Sequence, residues 1–404
     1  MRLLPAGVSA PSAAWPVAGL LLALSALAAP PAPPAREQQG LPRGKPEDVG
    51  VSPERLRRVG EVVKRHIDGR RIAGAVTLVA RKGKVIHFEA HGLLDVEGKR
   101  PMARDALFRM ASSTKPVTGV AVMMLVEEGK IRLADPVSKF IPEFKDLKVA
   151  ATKDGKVELV PAGRPVTIKD LLTHTSGLAS GGDGTKTARP ETLRPGDEDT
   201  LESYVARVAK VPLDFQPGSR WRYSGLAGID ALARVVEVAS GRPFDKFLRE
   251  RVFQPLGMKD TFFLHRGGDG NARMACIYRG TGKGLEKVPS FLQFPRGYHS
   301  GAGGLVSTAE DYFRFAQMLA NGGELGGKRL LSPRAVALLS SNHVGEMFGG
   351  QLGRPQGMGF GLTVEMVTDP VRAGTYGSPA ASAGTGRSGR TSGSIRKPSW
   401  WASF

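Results

Sequence analysis

Ser112 and Lys115 are two residues of this chain whose types and spacing suit covalent catalysis. They stand three positions apart, and positions i and i+3 share one face of a helix, so the hydroxyl and the amine could meet there. A serine is a weak nucleophile until a base removes its proton. An amine can be that base when burial and the positive end of a helix dipole lower its pKa from about 10.4 towards neutrality. The spacing is therefore compatible with a serine nucleophile and a lysine base, although the pair alone is a weak signal.

The residues that follow this pair predict a helix that begins at it. Pro116 is suited to a first helical turn, where its missing N–H would have had no partner. Residues 117–126 are apolar almost all round, which predicts a helix buried in a large core and ended by Gly129. An ordinary capped helix start is the alternative interpretation of the motif, because Ser113 and Thr114 are also good caps.

The composition argues against several classes of function. The chain has 404 residues and a net charge of +19, but its basic residues are dispersed and only 7% of residues are aromatic, so we expect no nucleic-acid partner. Cys276 is the single cysteine, which excludes an internal disulfide. His87 and His91 fall in a strand-like run, and no His-x-x-x-His pattern lies on a predicted helix. We therefore predict no metal site and no cofactor.

The N-terminus has the pattern of a targeting segment. Arg2 precedes an apolar run over residues 16–24, and Ala-Leu-Ala at 26–28 fits a small-x-small cleavage site. We interpret residues 1–28 as a signal peptide and the Pro/Ala-rich residues 29–44 as a linker. The apolar run is short for a membrane span and no cysteine follows it, so we expect an exported protein, periplasmic or extracellular, without a stable membrane anchor.

The order of predicted elements indicates an α+β fold. Two β-rich runs, 74–80 and 85–91, are joined by a turn and predict a hairpin. A long helical middle follows, and strand-like residues return at 357–367. We expect an antiparallel sheet built from N- and C-terminal strands and flanked by a mostly helical region, as one domain over 45–379. The stretch 180–200, rich in glycine, proline and charge, predicts a mobile excursion.

Four motifs resemble those of the β-lactamase-related serine hydrolases. They read FRMASSTKPVT at residues 108–118, LLTHTSGL at 171–178, PLGM at 255–258 and GGLVST at 303–308. They occur in family order and extend the resemblance over roughly residues 45–370. The family includes class C β-lactamases, D-alanyl-D-alanine peptidases and family VIII carboxylesterases, and its members act on esters, β-lactams or peptides.

The resemblance implies a role for each matching residue. Ser112 matches the nucleophile that forms the acyl-enzyme, Lys115 its neighbouring base, and Tyr223 the tyrosine that relays the proton. Gly225 stands where many relatives carry an asparagine that is thought to contact the β-lactam side chain, which favours simple esters. His174 lies in a family motif, and we interpret it as structural rather than as a partner of Ser112.

The C-terminal residues depart from the family pattern. The family has a third motif on a late strand, such as Trp-x-Gly or Lys-Thr-Gly, but residues 380–404 are rich in Ser, Gly and Arg and contain no acid. With GC-rich codons, a one-base shift restores a Trp-Asp-Gly-Ala motif and a core-strand pattern. Our hypothesis is that 380–404 is an aberrant basic tail produced by a frameshift, with the C-terminal strands missing.

These observations predict an exported serine hydrolase that cleaves an ester or amide through an acyl-enzyme on Ser112, with esterase activity favoured. β-Lactamase or D-alanyl-D-alanine carboxypeptidase activity is the first alternative. A catalytically impaired pseudoenzyme is the second, because the third motif is missing from the sequence. A basic binding module is the remaining alternative from another class.

Overall fold

The computed structural model describes residues 41–282, 284–289, 293–376, 382–383 and 399–403. The predicted signal peptide and most of the predicted linker lie outside these residues, as does most of the predicted tail. The last linker residues join the fold, because Val85 donates a hydrogen bond to the Pro42 carbonyl and Gly44 donates one to the Val85 carbonyl.

The helices lie mostly in the middle of the chain. In the described residues the α-helices are α1 (Pro53–Asp68), α2 (Thr114–Glu127), α3 (Ile168–Leu172), α4 (Asp183–Thr187), α5 (Leu201–Val208), α6 (Ala227–Ser240), α7 (Phe244–Leu248), α8 (Gln254–Leu256), α9 (Ala309–Ala320) and α10 (Pro333–Leu339). Short 3-10 turns connect several of them, and one of these, Ala111–Ser113, leads directly into α2.

The strands are short apart from the first two. They are β1 (Gly74–Arg81), β2 (Lys84–Asp95), β3 (Arg100–Pro101), β4 (Phe108–Arg109), β5 (Lys148–Lys153), β6 (Lys156–Pro161), β7 (Phe262–Phe263), β8 (Tyr278–Thr281), β9 (Gly284–Lys287), β10 (Leu305–Ser307), β11 (Glu324–Leu325), β12 (Lys328–Arg329), β13 (Met358–Phe360), β14 (Glu365–Val367), β15 (Ser382–Ala383) and β16 (Ser399–Ser403). The larger sheets have the orders β16-β1-β2-β3, β4-β10-β7 and β13-β14-β15, with antiparallel pairing throughout.

The four-stranded sheet confirms the predicted hairpin and combines both ends of the chain. β1 pairs with β2 from Gly74 opposite Gly92 to Arg81 opposite Lys84, with a bulge after Val79. On its other edge β1 pairs with β16, from Thr77 opposite Ser403 to Arg81 opposite Ser399. We expected the C-terminal strands to be missing, but the tail supplies this one. The α+β fold with a sheet formed from both termini is confirmed.

A helix covers each face of this sheet. α1 begins after Ser52, because the Ser52 hydroxyl accepts a hydrogen bond from the Arg55 N–H and Pro53 takes the first helical position. α1 packs on β1 and β2, while α9 lies against β1 and β16. Alternate residues of β1, among them Val76 and Leu78, form a small core with Phe313 of α9.

The main core surrounds α2, which is buried on all sides as its apolar sequence predicts. α6 lies against it, and α3 and α5 pack on α6. In residues 180–187, part of the stretch predicted to be mobile, Ser180 and Thr185 donate hydrogen bonds to the Asp214 carboxylate. None of the described helices is both long and apolar enough to cross a bilayer.

Candidate active site

Two short strands and a tight turn position Ser112. β4 pairs with β10, and the Met110 N–H extends this pairing with a 2.8 Å hydrogen bond to the Leu305 carbonyl. Ala111 then adopts the left-handed conformation, with φ +45°. A non-glycine residue in that region is strained and persists only where its surroundings hold it. The turn places Ser112 at the head of α2, partly exposed at the end of an otherwise buried helix.

The Ser112 hydroxyl lies within reach of two proton-carrying groups. The Tyr223 hydroxyl donates a 2.7 Å hydrogen bond to Ser112 Oγ. Lys115 Nζ lies 3.4 Å from the same oxygen, and 5.1 Å from the centre of the Tyr223 ring. The structure therefore brings together Ser112, Lys115 and Tyr223, although Tyr223 is more than a hundred residues away in the chain. A serine hydroxyl with two such groups in reach can act as a nucleophile with neighbouring bases.

Main-chain carbonyls hold the Lys115 side chain. Lys115 is only 3% exposed, and its Nζ donates hydrogen bonds to the Gly225 carbonyl at 2.9 Å and to the Ala302 carbonyl at 2.8 Å. Across the described part of the chain, Lys115 forms no ion pair with a carboxylate. Neutral carbonyl acceptors therefore orient the amine next to Ser112 Oγ.

A buried carboxylate fixes one of these carbonyls. Asp230 of α6 is fully buried, and it accepts hydrogen bonds from the Tyr298 hydroxyl at 2.5 Å, the Ser300 hydroxyl at 3.0 Å and the Ala302 N–H at 3.0 Å. Burial raises the pKa of Asp230 to about 6, although these hydrogen bonds and the charge of Lys115 act in the opposite direction. Sequence reasoning missed Asp230. The available signal was an acid flanked by apolar residues in the first turn of α6.

His174 lies behind the tyrosine rather than beside the serine. Its ring centre is 4.7 Å from that of Tyr223 and 5.4 Å from that of Phe360. Its Nδ1 accepts a hydrogen bond from the Ser224 N–H at 3.3 Å. Burial, with a smaller effect of Lys115, lowers the pKa of His174 to about 3. The neutral ring is therefore a packing partner of Tyr223, a contact that the sequence did not reveal.

One donor for a developing oxyanion is present at the turn. The N–H of Ser112 belongs to the first helical turn, where amides have no partner within the helix. In an acyl transfer such an amide can stabilise the negative oxygen of the tetrahedral intermediate. Of the residues shortly after 379, where the third family motif is expected, the structure describes only Ser382 and Ala383.

Comparisons with known proteins identify the family of the chain. The family described as Beta-lactamase matches residues 59–393. Protein Rv1367c of Mycobacterium tuberculosis is 36% identical over 332 residues, which cover 77% of this chain and 81% of that protein. Esterase EstB of Burkholderia gladioli is 34% identical over 341 residues, covering 79% and 81%.

A solved structure gives the same result. The hydrolase EstCE1, described as having promiscuous acyltransferase activity, superposes with a TM-score of 0.72 at 29% identity, covering 86% of this chain and 92% of the other. The family match spans well over half of the chain, and the motif residues meet in space as the resemblance implies. This protein belongs to the Beta-lactamase family.

Proposed function

We propose that this chain is an exported serine hydrolase that cleaves carboxylic esters through an acyl-enzyme on Ser112. The 2.7 Å contact between Tyr223 and Ser112 Oγ, with Lys115 Nζ at 3.4 Å, is the observation that carries the proposal. Ser112 Oγ attacks the ester carbonyl and its proton passes to the Tyr223–Lys115 pair. The pair returns a proton to the leaving alcohol, and water then releases the acid by the same steps in reverse order.

Gly225 supports an ester as the substrate rather than a β-lactam. Its carbonyl holds Lys115, but it carries no side chain at the position where many relatives have an asparagine. A built Cβ at Gly225 meets nothing within 4 Å, so the space beside the lysine is open to a substrate. The relative EstB is named as an esterase.

The substitution Ser112→Ala tests the nucleophile. We expect it to abolish hydrolysis of p-nitrophenyl butyrate and labelling by a fluorophosphonate probe, which peptide mass spectrometry should find on Ser112 in the parent protein. Ser340→Ala, a serine of the α10 terminus, is the matched control and should keep full activity. Undiminished hydrolysis by Ser112→Ala, or a label on another residue, would exclude the assignment.

Two substrates separate the esterase from the β-lactamase alternative. We expect kcat/KM for p-nitrophenyl butyrate to exceed that for nitrocefin. The opposite order would favour β-lactamase activity, and release of D-alanine from a D-alanyl-D-alanine peptide would favour the carboxypeptidase. Export predicts that the mature protein isolated from the periplasm or the culture medium begins directly after Ala28, which N-terminal sequencing measures.

The pseudoenzyme alternative rests on the missing third motif. Loss of one oxyanion donor typically lowers kcat by about a hundredfold to a thousandfold. If 380–404 is frameshifted, a frame-restored chain should exceed the present chain by at least that factor. Equal kcat/KM values for the two chains, at equal folded mass by gel filtration, would show that the tail is natural.

A further inference from the structure

Three potential metal ligands lie on one face of β2. His87, Glu89 and His91 alternate along the strand, and alternate residues of a strand project to the same side. This side faces α1, because a Cβ built on Gly60 of that helix would lie 3.3 Å from His91 Cε1 and 3.5 Å from Glu89 Oε2. The sequence pattern predicted that the two histidines lie in a strand, and the structure shows that the Glu89 carboxylate lies on the same face between them.

The donor atoms have separations suited to one ion. One ligand atom from each residue lies within 4.8 Å of the others. Glu89 bridges the histidines, with Oε1 3.6 Å from His87 Nδ1 and Oε2 3.3 Å from His91 Nε2. Ligands about 2.0–2.1 Å from a tetrahedral zinc ion lie about 3.4 Å from one another, so the two shorter separations already fit.

A hydroxyl orients the first histidine as an outer partner does in metal sites. Thr77 of β1 lies opposite Glu89, and its Oγ1 is 2.7 Å from His87 Nε2. If His87 donates its Nε2–H to this hydroxyl, its Nδ1 lone pair faces the carboxylate. Metal-binding histidines characteristically use the second ring nitrogen in this way.

The second histidine lacks such a partner. His91 Nε2 is buried, and it makes no hydrogen bond with any residue that the structure describes. Its contact with Glu89 Oε2, at 3.3 Å, is a close approach rather than a hydrogen bond, so a bound ion would give this nitrogen a partner. Gly60 above it costs α1 helix propensity but leaves room that any larger side chain would fill.

We propose that His87 Nδ1, Glu89 and His91 Nε2 bind one divalent transition metal ion of the zinc type, with water as the fourth ligand. Two imidazoles and one carboxylate are ligands that zinc accepts, and they suit calcium or magnesium poorly. Water can enter from an open cleft of about 700 Å³ between α1 and β2. This site is distinct from Ser112 and revises our prediction that the two histidines bind no metal.

The cleft is compatible with a cation. Glu61 and Asp68 of α1 line it together with Arg57 and Lys64. Lys64 Nζ is paired with Asp68 at 2.9 Å, so its charge is partly compensated. The ion would hold together three side chains on the face of β2 that packs against α1. This is a structural role, so we expect the melting temperature, rather than the chemistry, to depend on the metal.

Titration with Co²⁺ and Zn²⁺ tests the site in the full chain without a polyhistidine tag. We expect one Co²⁺ per chain, visible as tetrahedral d–d absorption, its displacement by Zn²⁺, and a higher melting temperature with either ion. Thr77→Val removes an outer partner and should weaken metal binding by roughly tenfold to a hundredfold. Glu89→Gln and His91→Ala each remove a ligand and should weaken metal binding by more than that.

His66→Ala on α1 is the matched control, because it removes a histidine that does not line the cleft. It should bind like the parent protein. Glu89 is half exposed, so Glu89→Gln decides the outcome if circular dichroism shows that His91→Ala is unfolded. Absence of stoichiometric binding to the folded parent protein, or unchanged affinity in Glu89→Gln, would overturn the proposal.

Discussion

Asp230 and Lys115 both form hydrogen bonds with the main chain of Ala302, one with its N–H and the other with its carbonyl. The Ala302 N–H donates to Asp230 Oδ1 at 3.0 Å, and the Ala302 carbonyl accepts from Lys115 Nζ at 2.8 Å. The buried carboxylate therefore sets the position of the proposed base without touching it or the nucleophile. Asp230 is a positioning residue, and its substitution should alter catalysis through geometry.

We expect Asp230→Asn to lower kcat for p-nitrophenyl butyrate by about a hundredfold and to leave KM nearly unchanged. The amide introduced at position 230 would turn an N–H towards groups that themselves donate hydrogen bonds, so the main chain at Ala302 should shift. A shift of a catalytic group by about 1 Å lowers kcat by about a hundredfold. Steady-state kinetics measure the split. Asp311→Asn, a change of another buried acid, is the control and should reduce stability without altering kcat.

The titration of Asp230 should also appear in stability. Burial raises the pKa of Asp230 to about 6, above its ordinary value of 3.8, so the folded state binds the proton more tightly than the unfolded state. The contribution of Asp230 to the free energy of unfolding should therefore fall as pH rises from about 4 to 6, by about 3 kcal/mol. Urea unfolding across this range should show that contribution in the parent protein and not in Asp230→Asn.

Lys115→Arg should lower kcat by more than about a hundredfold, the contribution expected of a general base. Arginine keeps the charge but does not lose its proton at working pH. Lys139→Arg changes an exposed lysine that is paired with Asp135, and it should leave kcat unchanged. Retention of more than about a tenth of the parent rate by Lys115→Arg would mean that the lysine acts only through its charge.

Tyr223→Phe should lower kcat by about a hundredfold or more, because it removes the 2.7 Å hydrogen bond to Ser112 Oγ and keeps the ring that packs on His174. Tyr278→Phe removes a hydroxyl that binds the Val96 N–H, and it serves as the control. Parent-like kinetics for Tyr223→Phe would assign the tyrosine a packing role.

His174 should contribute to acid sensitivity. Burial lowers the pKa of His174 to about 3, so folding keeps the ring neutral while the unfolded chain protonates it near 6.5. The contribution of His174 to the free energy of unfolding should fall by about 1.4 kcal/mol per pH unit as pH drops below 6.5 towards 3, opposite in sign to the contribution of Asp230. His174→Asn, which tolerates φ +57°, should remove that slope and retain activity if the histidine is structural.

Truncation after residue 398 should destabilise the chain. It removes β16 and leaves the β1 edge from Thr77 to Arg81 without its five paired residues. An unpaired edge promotes association between copies. We expect a lower melting temperature and higher-mass species in gel filtration, whereas removal of Phe404 alone should have neither effect. A melting temperature equal to that of the full chain would show that this pairing contributes no stability.

Local signals made the hairpin, α1 and the buried α2 predictable. Ser52 and Pro53 mark a helix start, and residues 117–126 are apolar in the way that an enclosed helix requires. Ser112 and Lys115 are three residues apart, so helical geometry alone brings them together. Tyr223 could be added only through the family motif, because no local pattern reports a contact across more than a hundred residues.

Other features depend on contacts that the sequence order hides. Asp214 accepts hydrogen bonds from Ser180 and Thr185, some thirty residues before it, within the stretch that composition predicts to be mobile. β5 and β6 form a hairpin in a region for which no strands were predicted. The proposed role of Glu89 as a metal ligand can be inferred only when the register of β1 and the approach of α1 are known.

At position 225 the main chain and the side-chain position have separate roles. Its main chain holds Lys115 whatever residue stands there, while the direction of its Cβ is empty for 4 Å. Evolution can therefore vary the chemistry that faces a substrate at this position without disturbing the base. A single codon change here could alter the substrate preference, so position 225 is the natural first site for saturation mutagenesis.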